Sequence, residues 1–377
     1  MIQVVREFRV GRPQVFAGLM LLAFMAQCLW TANTRKLSDL EYRYIAAGLT
    51  SANEKAVNAS PFTGWVAALP VRLTSLARKI ATPALSAALA VPRPWLRLPF
   101  IAFGVWLGAA LWWVARRLFD DEGGYVALAL YCTSPAMITI SSNIGPEIIL
   151  AWCSLGLIYT AIGVAHTLYA PPRKWVPRIA ILGLSIGFAL ATFWWSVTLV
   201  FLAFGYMIYL SPGCRRKALM VLASASAIGC AIWAAVYWMT GSAGLGIKTV
   251  LAQKPTIEVL GNLAFALSGQ TDGYVLVFLF IAALTAYGSW PRARYFGNTA
   301  PLLTGLTAVL LFSLVPAIRI WDAPLGLTFV FIFIGGLAAD FLETRFRRPV
   351  TMILAACLLL RVVLTVQALR IWVQNLM

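Results

Sequence analysis

Charged residues are scarce in this sequence: Asp, Glu, Lys and Arg together make up 11% of its 377 residues. Soluble domains carry about a quarter charged and about half apolar residues. Here 61% of the residues are hydrophobic, and mean hydropathy is +0.83. This balance excludes an ordinary soluble domain, a disordered chain and a coiled coil. Because the apolar runs are continuous rather than alternating, it favours an all-α polytopic membrane protein over a β-barrel.

Histidine and paired cysteine are also scarce. The single histidine, His166, excludes a histidine-based metal site or catalytic triad. The six cysteines are scattered without a CxxC pair, mostly inside apolar runs, and indicate small apolar residues rather than disulfides or metal ligands. The thirteen acidic residues are therefore the informative candidates for chemistry.

Long charge-free runs predict eleven membrane spans in a single membrane domain, 1–377, without a soluble C-terminal domain. The first, 13–34, follows three arginines and has the pattern of an uncleaved signal anchor. The run 179–214 is too long for one helix, so we divide it at Thr192–Ser196, where aromatic and hydroxyl residues suit an interface. The other spans fall within 98–115, 123–146, 148–172, 218–247, 273–291, 295–318, 323–339 and 350–372.

The distribution of basic residues sets the predicted orientation. With the N-terminus in the cytoplasm, the later inner loops carry thirteen Lys and Arg, and the later outer loops carry three: Lys248, Lys254 and Arg319. This is the asymmetry expected of a multi-pass protein of the plasma (inner) membrane. It accounts for the net charge of +17 without a nucleic-acid partner.

The first loop, 33–97, is then extracytoplasmic. Its segment 62–91 is apolar enough to suggest a further span, but three basic residues interrupt it, and Pro70 and Pro83 are expected to break it. An extra span would also place the thirteen basic residues outside. We therefore predict one or two amphipathic helices lying in the outer membrane interface.

Two carboxylates follow the first span, at Asp39 and Glu41. Ser38 and Glu41 have the spacing of a capping box at a helix start. By helical spacing Asp39, Tyr42 and Arg43 share a face, and Glu41 points away from it. Asp39 has two interpretations: a first-turn carboxylate stabilised by the helix dipole or by Arg43, or a catalytic carboxylate facing a cavity at the membrane surface.

Polar residues recur in the other outer turns. Glu147 begins the fourth span after a short turn, either as a dipole-stabilised carboxylate after a proline or as a second acid of an outer-face site. Arg319 can pair with Asp322 or hold a lipid phosphate, and Lys248 and Lys254 have similar alternatives.

Arg361 lies near the middle of the last span, where a lipid-facing charge would be costly. We expect it to face the helix bundle and to have a partner there. A transporter or lipid flippase would need ionisable groups deep in several spans, which counts against that class.

Taken together, the sequence resembles the GT-C superfamily of membrane glycosyltransferases. The segment that begins with Asp39-Leu-Glu-Tyr-Arg-Tyr is similar to the first-loop motif of that family, and Gly145-Pro-Glu-Ile-Ile is similar to its second acidic position. Arg319 and the following Ala323-Pro-Leu resemble the last outer loop. The sequence also departs from the family, because Leu40 separates two acids that are often adjacent, and Phe193-Trp-Trp stands where many relatives have a lysine.

The resemblance implies a GT-C fold and inverting transfer of a sugar from a polyprenyl phosphate to a glycan, lipid or protein acceptor outside the cytoplasm. It implies that Asp39 is the general base and that Glu147 orients the acceptor or, with Asp39, holds a divalent cation. The residues it implies for substrate binding are Glu41, Tyr42, Arg43, Lys248, Lys254, Arg319 and Asp322. The alternatives are a transporter or lipid flippase, and a catalytically degenerate scaffold of the same fold.

Overall fold

The computed structural model describes residues 11–49, 60–77, 91–193, 196–239, 273–313 and 324–374. Within these ranges it contains thirteen α-helices and two short 3₁₀ turns, Pro212–Cys214 and Pro291–Ala293. The α-helices are α1 (Arg12–Thr34), α2 (Asp39–Leu49), α3 (Pro61–Ala77), α4 (Arg93–Cys132), α5 (Pro135–Ser141), α6 (Pro146–Thr167), α7 (Pro172–Thr192), α8 (Val197–Leu210), α9 (Arg215–Met239), α10 (Gly273–Ser289), α11 (Phe296–Ser313), α12 (Pro324–Leu342) and α13 (Arg347–Gln374).

The predicted all-α class is confirmed. Each of the eleven predicted spans coincides with part or all of one or two helices, and α7 and α8 are separated where the run 179–214 was divided. In the described part of the chain, seven helices are long and apolar enough to cross a membrane. The number of eleven crossings stays a prediction.

Several helices begin at prolines, because the proline at the first helical position lacks an N–H that would have no partner there. Pro135 begins α5, and Ser134 caps it by accepting a hydrogen bond from the Met137 amide at 3.3 Å. Pro146 begins α6 after the extended residue Gly145. These two starts place a short turn, residues 142–145, between α5 and α6.

The chain reverses direction inside α4, at Phe119 and Asp120. Asp120 has φ of 58°, in the region that non-glycine residues rarely adopt. The two halves then pack against each other: the Tyr131 hydroxyl donates to the Gly104 carbonyl at 2.7 Å. This kink lies where a turn between the second and third spans was predicted; its location on the inner side of the membrane stays a prediction.

The core lies around α6 and α12. In the apolar 18-residue stretch of each of these helices, 72% of the residues are buried. In α13, which lies at the periphery, the same share is 17%. Arg361 of α13 nevertheless points inward and is 1% exposed. Its Nε donates to the Thr133 carbonyl at 3.4 Å, and its guanidinium lies 5.4 Å from the Phe331 ring centroid. Thr133 follows the end of α4, so Arg361 is a cation at a helix C-terminus. The expectation that Arg361 faces the bundle and has a partner is confirmed.

In the first loop, α2 packs closely against α3. A Cβ added to Gly48 would overlap the backbone of Gly64 and would lie 2.8 Å from the Ala68 Cβ. Arg72 joins the same helices by donating to the Gly48 carbonyl at 2.5 Å. The expectation that Pro70 breaks the helix is wrong: α3 continues through it, because the ring removes one backbone hydrogen bond and the remaining turns persist.

The first loop ends earlier in the structure than the sequence predicted. The first loop was expected to end at residue 97, but α4 begins at Arg93. Of the predicted amphipathic segment 62–91, α3 covers the first part, and residues 78–90 lie outside the described ranges. The location of α3 in the membrane interface stays a prediction.

Candidate functional site

A buried ion pair between Glu41 and Arg97 lies where α1, α2, α4 and the turn 142–145 meet. The Arg97 side chain is fully buried and that of Glu41 is 3% exposed. The pair is bidentate: Arg97 Nε donates to Glu41 Oε1 at 2.9 Å, and Arg97 Nη2 donates to Glu41 Oε2 at 2.8 Å. This geometry is the strong form of an arginine–carboxylate interaction.

The remaining donors of Arg97 bind the chain that connects α1 to α2. Its Nη1 donates to the carbonyls of Ala32 and Arg35 at 2.8 and 3.0 Å, and its Nη2 donates to the Lys36 carbonyl at 3.0 Å. All five guanidinium N–H groups therefore have acceptors. A buried charge with this many partners is stable where an unpaired one would not be.

Glu41 is equally well satisfied. The predicted capping box is present: the Ser38 amide donates to Glu41 Oε2 at 2.8 Å, and the Glu41 amide donates to the Ser38 hydroxyl at 3.3 Å. The Ile144 amide, in the turn before α6, donates to Glu41 Oε1 at 3.1 Å. Burial raises the pKa of Glu41, but the hydrogen bonds and charge of Arg97 outweigh burial and hold this pKa below its usual value.

A second arginine contacts the same turn. Arg35 follows α1, is half-buried, and donates from Nη1 to Oδ1 of Asn143. Burial lowers the pKa of Arg35; the negative charge of Glu41 opposes this shift, and the positive charge of Arg97 adds to it. The turn 142–145 is thus attached to the first loop at two consecutive residues, Asn143 and Ile144.

Asp39 lies on the opposite face of α2 from Glu41, as the helical spacing predicted. Its side chain is exposed, as is that of Arg43, and Tyr42 is half-buried. Among the described residues, the Asp39 carboxylate has no hydrogen-bond or ion-pair partner. The ion pair with Arg43 that the spacing allows is not formed. Asp39 is therefore a carboxylate open to an incoming group.

Glu147 lies in the first turn of α6, three residues after Ile144. Its side chain folds back over the start of its own helix, so that a Cβ on Gly145 would overlap the carboxylate and lie 3.1 Å from Glu147 Cδ. The absence of a side chain at Gly145 permits this conformation. Glu147 and Glu41 are close enough to interact electrostatically. The structure thus places the two predicted acidic segments side by side.

An apolar groove with a volume of about 710 Å³ lies beside this region. Its walls are rich in aromatic rings: Phe62 stacks on Phe188 at 4.5 Å between centroids, and Trp106 contacts Trp152 at 4.7 Å. The remaining lining residues are Trp65, Phe103, Ala110, Gly156, Ile181, Leu184, Ser185, Val236 and Met239.

The groove and the acids share two helices. Trp152 is five residues beyond Glu147 on α6, which corresponds to about 7.5 Å along the helix axis. Phe62 and Trp65 belong to α3, which packs on the helix that carries Asp39. A long apolar molecule in the groove would therefore have one end close to the acidic residues.

The described residues contain no group of three or more His, Cys, Asp and Glu side chains placed to hold a metal ion. A cation held by Asp39 and Glu147 alone stays a prediction. Glu41, the third acid near Asp39 and Glu147, has both oxygens occupied by Arg97 and by backbone amides.

Four predicted substrate-binding residues, Lys248, Lys254, Arg319 and Asp322, lie outside the described residues. The sequence reasoning did not identify Arg97, Arg35 or Asn143 as parts of this region. One signal for Arg97 was available: it is a charged residue within the apolar stretch that becomes α4.

The fold defines a class: a helical membrane bundle with carboxylates at one end and an apolar groove beside them. No protein-family model matches the sequence, and no curated protein sequence matches it. Comparison with solved structures does give matches, and they confirm the GT-C fold expected from the sequence.

ArnT from Cupriavidus metallidurans in the apo state matches 92% of this chain at 14% identity and a TM-score of 0.64. The same protein bound to undecaprenyl phosphate matches 91% at 12% identity and a TM-score of 0.63. The Archaeoglobus fulgidus oligosaccharyltransferase in the apo form matches 96% at 12% identity and a TM-score of 0.60. This chain covers 64% of ArnT and 56% of the oligosaccharyltransferase, less than two thirds of either.

Proposed function

We propose that this protein is a glycosyltransferase that moves a sugar from a polyprenyl phosphate to an acceptor hydroxyl, with inversion at the anomeric carbon. The reaction takes place at the extracytoplasmic face of the plasma (inner) membrane. The observation that carries this proposal is the aromatic groove that approaches the Asp39 and Glu147 segments in a chain with the GT-C fold. The neighbour ArnT, which binds undecaprenyl phosphate, supports the class of donor.

The groove holds the prenyl chain of the donor. An apolar wall with ring faces suits a long hydrocarbon chain, and polar groups at one end fix the orientation of a bound ligand. The chain lies along Trp106 and Trp152, and the phosphate lies at the end nearer Glu147. The acceptor is a glycan, a lipid or a protein that reaches the same end from outside the membrane.

Asp39 is the general base. Its carboxylate is exposed and has no partner among the described residues, so it is free to take the proton of the acceptor hydroxyl. The new C–O bond forms as the bond between the anomeric carbon and the phosphate oxygen breaks, which inverts that carbon when attack is from the opposite side. A general base of this kind contributes roughly 10²–10⁴ in rate.

The leaving polyprenyl phosphate is already anionic and needs a cation rather than a proton. Arg43 is exposed on the same face as Asp39, and Lys248, Lys254 and Arg319 are the further candidates. Glu147 orients the acceptor, and Tyr42 and Asp322 complete the proposed substrate contacts. Glu41 is left out of this set because Arg97 and two backbone amides occupy its carboxylate.

Filling the groove tests the proposal. Ala110→Phe adds a ring inside it, and Ala102→Phe adds the same ring at an exposed position of α4 outside its walls. With radiolabelled polyprenyl-phosphate sugars and purified protein in lipid, Ala110→Phe should raise KM for the donor, and Ala102→Phe should not. Equal KM values for both variants and the wild type would show that the donor does not use the groove.

Two other functions predict different results in the same preparation. A transporter or flippase would move a lipid-linked sugar across the proteoliposome membrane without transferring the sugar. Proteins of that class require ionisable groups deep in several spans. A degenerate scaffold would bind the carrier without turnover. Either result would refute the proposed transfer.

A further inference from the structure

The Glu41–Arg97 pair connects the two candidate acids physically. Glu41 is two residues from Asp39 on α2 and bonds through Oε1 to the amide of Ile144, which is three residues from Glu147. One carboxylate therefore contacts the segments that carry both acids. Its own position is fixed by two bonds from Arg97, at 2.9 and 2.8 Å.

Arg97 also fixes the other side of this arrangement. Its remaining bonds are to the carbonyls of Ala32, Arg35 and Lys36, which form the end of α1 and the connection to α2. Asp39 directly follows this connection, so its backbone has little freedom relative to α4. The Glu41–Arg97 pair is buried, so water competes little for the hydrogen bonds between its two side chains.

We propose that Glu41 and Arg97 are positioning residues for sugar transfer: they hold Asp39 and Glu147 at the separation that the reaction needs, without contacting substrate. This inference rests on the proposed function. The capping box alone does not explain this role of Glu41 and Arg97. A capping box needs neither Arg97 nor the hydrogen bond from the Ile144 amide.

The geometry distinguishes this role from a general need for positive charge. Lysine at position 97 keeps the charge but lacks the planar fork, so it cannot serve both oxygens of Glu41 and three carbonyls together. Arg97→Lys should therefore shift the two segments relative to each other. A displacement of about 1 Å in a catalytic site costs on the order of 100-fold in rate.

The experiment compares Arg97→Lys and Glu41→Gln with the matched control Arg72→Lys, which removes a single bond from arginine to the Gly48 carbonyl at the other end of α2. Both test variants should lower kcat on the order of 100-fold. KM for the donor and the midpoint of the pH–rate profile should stay unchanged, because the groove and the base Asp39 are intact. The kcat of the double variant should be no lower than that of the less active single variant, since the two residues act as one unit.

Hydrogen exchange supplies a readout that does not depend on activity. In both test variants the amides of residues 142–145 should exchange faster, while peptides from α6 and α12 keep their protection. Equal loss of activity in Arg97→Lys and Arg72→Lys, a shifted pH profile, or faster exchange throughout the protein would overturn the positioning role. If the wild type transfers no sugar, the proposed function fails, but unchanged exchange at residues 142–145 in Glu41→Gln would separately refute the connection.

Discussion

A single methyl group added at Gly145 should separate the function of Glu147 from its structural surroundings. Gly145 has φ of −164°, an extended conformation that alanine adopts without strain. The new Cβ would overlap the Glu147 carboxylate, which must retreat by about 1 Å to restore normal contact. A shift of that size lowers kcat on the order of 100-fold if Glu147 positions the acceptor.

The expected stability change is small, because the contacted group is the flexible end of a side chain rather than backbone. Alanine in place of glycine at a helix N-cap costs less than about 1 kcal/mol. Gly11→Ala is the matched control, since Gly11 is also an extended N-cap glycine before a helix with proline in its first turn. The assays are kcat for sugar transfer and the thermal midpoint in detergent.

Two results would contradict the reasoning. Wild-type kcat in Gly145→Ala would show that the observed position of Glu147 has no part in transfer. A thermal midpoint far below that of Gly11→Ala would show that the substitution acts through folding.

Three further predictions concern stability. Gly48→Ala should lower the free energy of unfolding by about 1–3 kcal/mol or more, because its Cβ meets the backbone of α3. Gly205→Ala is the control and should not lower it, since the space around Gly205 is open. Equal thermal midpoints for the two variants would contradict this prediction. The pKa of Glu41 is lower in the folded protein than in the unfolded chain, where it is about 4.3. The ionised Glu41 side chain therefore stabilises the fold fully above about pH 4.3, and this stabilisation is lost as the pH falls towards the pKa of Glu41 in the folded protein. Glu41→Gln should therefore lose less stability on acidification than the wild type, and parallel pH–stability curves would refute this. Arg361→Met should lower the free energy of unfolding by about 1.5–3 kcal/mol through loss of charged hydrogen bonding, although Thr365 still donates to the Thr133 carbonyl. An unchanged midpoint in denaturant unfolding would contradict this.

Features set by local sequence were predictable. Continuous apolar runs located the helices, and the Ser38–Glu41 spacing gave the capping box and the outward direction of Asp39. The cost of a charge in lipid gave the inward direction of Arg361. Each of these features depends either on residues that are close in sequence or on the free energy of one charged side chain in lipid.

Long-range partners were not predictable. Arg97 is 56 residues from Glu41, and Ile144 is 103 residues from it, and no local pattern encodes which charges meet. The groove is likewise formed by residues from five helices. Pro70 was expected to break a helix but lies inside α3, because the packing of α3 on α2 outweighs the local penalty of one proline in a helix.

Sugar transfer by Asp39→Asn tests the central claim most directly. The wild type and this variant, in lipid, would be given a panel of radiolabelled polyprenyl-phosphate sugars with a crude envelope extract as acceptor. Asp120→Asn, an exposed aspartate at the α4 kink, is the matched control. The account predicts transfer by the wild type and by Asp120→Asn, and a loss of roughly 10²–10⁴ in Asp39→Asn. Full transfer by a stably folded Asp39→Asn protein would contradict the assignment of the base, and no transfer by wild type that still binds the carrier would contradict the enzyme.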